Sequence, residues 1–260
     1  MTDLLRVVIL GTGTDVGKTH VAIRLAQAWS QEMGPVLALK PIESGMGAQS
    51  SRDANPFQTV PPGTDAFSLR AAATFGGAPL YSFAEPISPH LAARRENKAI
   101  ELPEIRMWVE EHETQVQGKL AQDVLKNAKG EEQAPVRALS IVESAGGVFT
   151  PLSLQRTNFD LAKSLDPAFW ILVAPDSLGV LHDLGATLRA MSARPPDLVV
   201  LSRPRPDDDS TGCNAAEIYR VVYGQLGSAA PRHRQVPLVT REGDGSSLCA
   251  VLKRLGDAMA

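Results

Sequence analysis

The segment Gly11-Thr12-Gly13-Thr14-Asp15-Val16-Gly17-Lys18-Thr19 constrains this chain more than any other. It follows an apolar run at 5–10 and precedes 18–32, where Val21, Leu25, Ala28 and Trp29 recur at the spacing of a helix with one buried face. The glycines let the turn close so that successive backbone N–H groups face one anion, and the helix aims the positive end of its dipole at the same point. Lys18 is placed to neutralise outer phosphates, and the Thr19 hydroxyl to be one ligand of Mg2+. Five residues separate Gly11 from Gly17, one more than in the common pattern, so the loop is a lengthened variant. A purely structural turn has no need of lysine and threonine directly after its last glycine. Gly13, Thr14, Asp15, Val16, Gly17, Lys18 and Thr19 are therefore expected to bind a nucleotide's phosphates.

Strand-like runs at 5–10, 35–39, 136–142, 169–174, 198–202 and, weakly, 235–239 alternate with helical stretches at 18–32, 65–74, 88–96, 104–127, 179–191, 214–226 and 246–259. That alternation predicts an α/β fold, a single doubly wound and mostly parallel sheet with helices on both faces. Ser88-Pro89 reads as a helix start in which serine caps free amides. No repeat and no linker divides the chain, so one domain over 1–260 is expected. The stretches 46–62 and 203–212 read as exposed loops, and 101–132 as a solvated helix with a frayed end and no chemistry.

Lys plus Arg total 26 against 29 Asp plus Glu, a net charge of −3, which gives no general field for nucleic acid or an anionic membrane. Any phosphate must be gripped locally. Two cysteines, Cys213 and Cys249, cannot build a disulfide framework and read as ordinary thiols. No apolar run approaches the roughly 20 residues of a membrane span, and the start of the chain lacks a secretion signal. A cytoplasmic protein is expected.

Phosphate chemistry also needs acids that hold a metal, ideally at the carboxyl end of a neighbouring strand. Glu143 ends the run 138–142 and precedes the small-residue turn Ser144-Ala145-Gly146-Gly147. Asp65 is a second candidate, although Thr64-Asp65 reads equally as a helix cap. Lys40 ends the second strand, where it could add positive charge beside an anionic intermediate or be a plain surface charge.

Taken together these segments resemble the dethiobiotin synthetases. The pieces that match are 11–19, Lys-Pro-Ile-Glu-Ser-Gly at 40–45, Thr-Asp-Ala at 64–66, Phe-Ala-Glu-Pro-Ile-Ser-Pro-His at 83–90 and Val-Glu-Ser-Ala-Gly-Gly-Val-Phe-Thr-Pro-Leu-Ser at 142–153, in the family's order. The resemblance implies a P-loop NTPase-like fold and ATP-dependent ring closure. CO2, drawn from bicarbonate, adds to one amine of 7,8-diaminononanoate; the carbamate attacks the γ-phosphate of ATP; the second amine then closes a cyclic urea. It implies Thr19, Asp65 and Glu143 as Mg2+ ligands and Lys18, Lys40 and Thr14 as catalytic groups. Ser44, Ala145, Gly146 and Gly147 are implied along the substrate. The helix start Gly179, Val180 and Leu181 is implied at the substrate carboxylate, joined by Tyr219 across a homodimer. Ser202 stands where the family has an asparagine that reads the nucleotide base, and His182 and Asp183 stand where it often has Asn-His. His90 matches the motif without an assigned step. Two other readings are an amide-forming synthetase like those of cobyrinic acid diamide synthesis and a nucleotide switch of the ParA type. The first usually carries a glutamine-hydrolysing domain, and the second a further lysine near Gly11.

Overall fold

The computed structural model describes residues 3–47, 61–127, 137–203, 206–227, 230–240, 243 and 245–257. Parts of the expected loops 46–62 and 203–212, the end of the charged stretch 101–132, position 136 and the tail of 246–259 lie outside them.

The first strand, β1 (Asp3–Gly11), runs into α1 (Lys18–Glu32), as the glycine-rich segment requires. β2 (Val36–Leu39), β3 (Ile42–Ser44), α2 (Asp65–Ala72), β4 (Phe75–Gly76) and β5 (Tyr81–Phe83) follow. Then come α3 (Pro89–Arg95), α4 (Leu102–Asn127), β6 (Arg137–Glu143), α5 (Asn158–Ser164), β7 (Phe169–Pro175) and α6 (Val180–Ala190). β8 (Leu198–Ser202) leads to α7 (Asn214–Glu217), which continues through a π-helical turn, Ile218–Val222, into α8 (Tyr223–Leu226). β9 (Leu238–Val239) and α9 (Ser246–Asp257) close the described chain.

Seven strands form one parallel sheet in the order β4-β2-β6-β1-β7-β8-β9, the doubly wound arrangement expected from sequence. Both faces are covered. Val7 and Ile9 of β1 pack with Leu25 and Trp29 of α1 and Leu252 of α9, while their neighbours Val8 and Leu10 pack with Trp108 of α4 and Leu184 of α6. Alternate residues of one strand thus enter opposite cores, which is why these runs are continuously apolar. Among the described residues no helix is long and apolar enough to cross a membrane.

Four expectations are corrected. The stretch 101–132 is not simply solvated: α4 buries Ile105, Trp108, Val109 and Val116, and with them Glu113, which pairs with Arg6 of β1. Ser88 precedes α3 but its hydroxyl does not cap; it lies 2.9 Å from His90 Nδ1. The run 235–239 shrinks to β9, because Pro237 has no N–H to donate and contributes only its carbonyl, which accepts from Leu201 at 2.9 Å. The helix expected over 65–74 stops at Ala72, and Phe75–Gly76 joins the sheet.

Candidate active site

β1, β2 and β6 deliver the site from their carboxyl ends, where a parallel sheet leaves room between outgoing loops. In the sheet register Leu39 pairs with Val142, so Lys40 and Glu143, one residue further on each strand, emerge side by side. Lys40 Nζ donates to Glu143 Oε1 at 2.9 Å and to Asp65 Oδ2 at the first residue of α2. Thr19 in the first turn of α1 donates its hydroxyl to the same Glu143 oxygen at 2.7 Å. Lys18 Nζ folds back onto the carbonyl of Gly13 at 3.0 Å. The cleft between these groups, about 340 Å³, is lined by Thr14, Asp15, Gly17, Lys18, Thr19, Lys40, Asp65, Glu143 and Gly146.

Two backbone positions set the shape of the loop. Gly17 takes a left-handed φ of 92° immediately before α1, and Asp15 a φ of 55° that non-glycine residues seldom adopt. Strain of this kind persists where surrounding structure over-determines it.

Charge in the cleft is nearly balanced but unevenly buried. Glu143 is 0% exposed, whereas the Asp65 side chain is 51% exposed. Burial opposes a charged Lys40, yet Glu143 and then Asp65 more than offset it and hold that ammonium above the ordinary lysine range. Lys18 goes the other way. Its burial is the largest influence and lowers its pKa; Glu143 offsets this in part, and nearby Lys40 adds to the lowering. Among the described residues the second oxygen of Glu143 is buried with no hydrogen-bond partner, an acceptor that ordinarily requires satisfaction.

The turn after β6 touches the phosphate loop directly. Val148 N donates to Gly11 O at 2.8 Å, and a Cβ on Gly147 would sit 3.2 Å from both Gly13 Cα and Thr12 O. Glycine permits this close backbone-to-backbone approach without displacing the loop. The turn is pinned by Thr150 Oγ1, which accepts from Gly147 N at 2.8 Å, and by buried Asn158, whose amide donates to the carbonyls of Ala145 and Gly147 at 2.6 and 2.9 Å.

Comparison with known proteins shows which family the chain belongs to. A family model described as an AAA domain matches residues 6–228. The ATP-dependent dethiobiotin synthetase of Anaeromyxobacter dehalogenans strain 2CP-C is 31% identical over 218 residues, covering 83% of this chain and 84% of its own. The chain belongs to the dethiobiotin synthetase family. The synthetase of Streptomyces coelicolor is likewise 31% identical, over 86% of this chain and 82% of its own. Among solved structures, a ParA family ATPase from Chlorobium tepidum aligns over 97% of this chain and 93% of its own, with 15% identity and a TM-score of 0.44.

Against the dethiobiotin synthetase pattern, the fold brings Thr14, Lys18, Thr19, Lys40, Asp65, Glu143 and Gly146 into one cleft. Thr64 is the helix cap, accepting from Phe67 N at 3.2 Å, while Asp65, the next residue, meets Lys40. Ser44 ends β3 with a buried hydroxyl that has no partner among the described residues. Ser202 is fully buried at the end of β8, also unpartnered through its hydroxyl, while its carbonyl accepts from Asp176 N at 2.7 Å. Gly179 precedes α6 in the left-handed region, φ 97°, with Val180 buried behind it and Leu181 partly buried against the core. Tyr219 lies on the π-helical turn and is 61% exposed. Sequence reasoning assigned no role to Glu43, Thr150 or Asn158. For Asn158 a signal existed: Thr157 and Asp160 form a capping box that starts α5 at that residue.

Proposed function

We propose that this protein is an ATP-dependent dethiobiotin synthetase, closing the cyclic urea of dethiobiotin from 7,8-diaminononanoate, CO2 and ATP. The observation that carries the reading is the convergence of Lys18, Lys40, Thr19, Asp65 and Glu143 in one cleft of a chain belonging to that family. The backbone amides of Gly13–Thr19 cradle the phosphates, and Lys18 leaves the Gly13 carbonyl to meet them. Lys40 stands where the carbamate and the transferring phosphoryl group accumulate negative charge. Positioning and electrostatics do most of the work in such a transfer.

The donor set fits Mg2+. Thr19, Asp65 and Glu143 offer hard oxygens, and the unpartnered Glu143 oxygen is one a cation satisfies. When bound, the ion neutralises developing phosphate charge. Thr14 and Ser44 supply hydroxyls to the carbamate and phosphate region, and the backbone of Ala145-Gly146-Gly147 lies along the diamine. The free amides at Gly179, Val180 and Leu181 receive the substrate carboxylate, with Tyr219 arriving from the second subunit of a homodimer. Ser202 takes the position of the family's base-reading asparagine, and serine lacks the paired donor and acceptor of an amide, so base selectivity is relaxed or is read by other groups. We place the protein in the cytoplasm as one domain spanning 1–260.

Three results are expected. ADP release requires the diamine and bicarbonate together; turnover indifferent to the diamine contradicts the reading. Nucleotide affinity falls as pH rises through the lowered range of Lys18, because phosphate binding favours its charged form; Lys40, held higher, stays charged. In Lys18→Arg the fall, read by calorimetric titration across pH, moves to higher pH. Gly147→Ala sets a methyl group 3.2 Å from the backbone of Thr12 and Gly13, displaces the phosphate loop by a few tenths of an ångström and raises the KM for ATP several-fold, less than the roughly hundredfold that a 1 Å misplacement can cost.

A further inference from the structure

The 40–45 segment carries a second acid-base group besides Lys40. Glu43 on β3 is 6% exposed, and its carboxylate does not reach into the cleft's lining but across to the start of α2. One oxygen accepts from Asp65 N at 2.7 Å and the other from Ala66 N at 3.1 Å. With Thr64 taking the amide of Phe67, the first three N–H groups of α2 are all satisfied by side chains. One short stretch of chain therefore grips Asp65 at both ends: Glu43 holds its amide, and Lys40 holds its carboxylate.

We infer that Glu43 is a positioning residue that fixes Asp65 for metal binding. Asp65 is half exposed, at the N-terminus of an eight-residue helix, and it follows residues 61–64 on the surface. Without Glu43, nothing else among the contacts of its backbone amide ties it to β3, the strand that follows Lys40 in the chain. A bidentate carboxylate against two adjacent amides is charge-assisted and directional, which suits holding a main-chain position to a few tenths of an ångström. Burial pushes the Glu43 carboxyl above the usual carboxylate range, and Lys40 together with the amides of Asp65 and Ala66 offsets part of that. Two amides are taken by a group on another element, and the helix start is thereby registered to β3, not only capped.

The inference rests on the reading of Asp65 as a metal ligand, and the test separates the two. Mn2+ is titrated into the full chain in the presence of ADP and followed by its electron paramagnetic resonance signal, with melting temperatures recorded alongside. Asp65→Asn weakens Mn2+ uptake. Glu43→Ala weakens it by about tenfold or more, the usual scale for a residue that orients a ligand. Glu43→Gln keeps the shape and one acceptor, falls between, and covers the case in which the alanine variant folds poorly. In Glu43→Ala/Asp65→Asn the Mn2+ affinity is no weaker than in Asp65→Asn alone, because a positioning residue has nothing left to position. A purely structural Glu43 would lower the melting temperature without that dependence. Unchanged Mn2+ affinity in Glu43→Ala, or losses that multiply in the double variant, overturns the inference while leaving Asp65 a ligand. If the wild-type chain takes up no more Mn2+ than ADP does alone, or Asp65→Asn binds as wild type, the site reading falls, and the inference with it.

Discussion

Lys40→Ala lowers dethiobiotin formation by about a thousandfold while nucleotide affinity changes little. The group removed sits beside both carboxylates and faces the phosphate loop, and deletion of one preorganised charge at developing negative charge costs a factor of about 10² to 10³. Nucleotide affinity survives because the backbone of 11–19, Lys18 and Thr19 remain. The variant is also less stable. Glu143 is left with the Thr19 hydroxyl as its one remaining hydrogen-bond partner among the described residues, and losing a partner from a buried charge costs up to about 3–5 kcal/mol, less here because Lys18 lies nearby. Added Mg2+ restores part of that loss, since a cation again meets the carboxylate. Thermal melts with and without Mg2+, beside product assays, separate the two effects; an undiminished rate removes Lys40 from the chemistry.

Glu143→Gln produces a comparable loss of product with a different stability signature. The amide keeps shape and can accept from Thr19, but it offers a metal no charge. Lys40 still pairs with Asp65, so the buried ammonium keeps an anionic partner and the melting temperature falls less than in Lys40→Ala. The paired replacement Lys40→Met/Glu143→Leu recovers stability, because well-packed apolar residues often match a buried ion pair, yet stays inactive. Recovery of activity in that variant would show the pair to be structural only.

The parts of this molecule that sequence made legible are those where one local rule acts. The first helix matches its expected span because glycine, lysine and an apolar stripe agree, and the run 198–202 matches β8 because a strand buried on both faces is apolar throughout. The missed parts depend on long-range pairing. β3 and β5 are three residues each and pair only with one another, too short for any period to register. α4 hides its buried stripe because Glu113 sits in it, and that acid is acceptable only beside Arg6, 107 positions earlier. In the site, the phosphate loop could be derived residue by residue, whereas the meeting of Lys40 and Glu143 follows from the adjacency of β2 and β6, which spacing alone does not reveal. The resemblance implied a role for each residue, and the sheet register gives the physical cause of their meeting. Glu43 was visible as an acid in a motif, but its partners are backbone amides, which leave no mark in a sequence.

The most direct measurement is mass spectrometry of the products formed from ATP, Mg2+, diaminononanoate and ¹³C-labelled bicarbonate. The account predicts dethiobiotin carrying the label in its urea carbon, formed in step with ADP, and lost in Lys40→Ala. ATP consumption without labelled product, at a rate the diamine does not change, would contradict it.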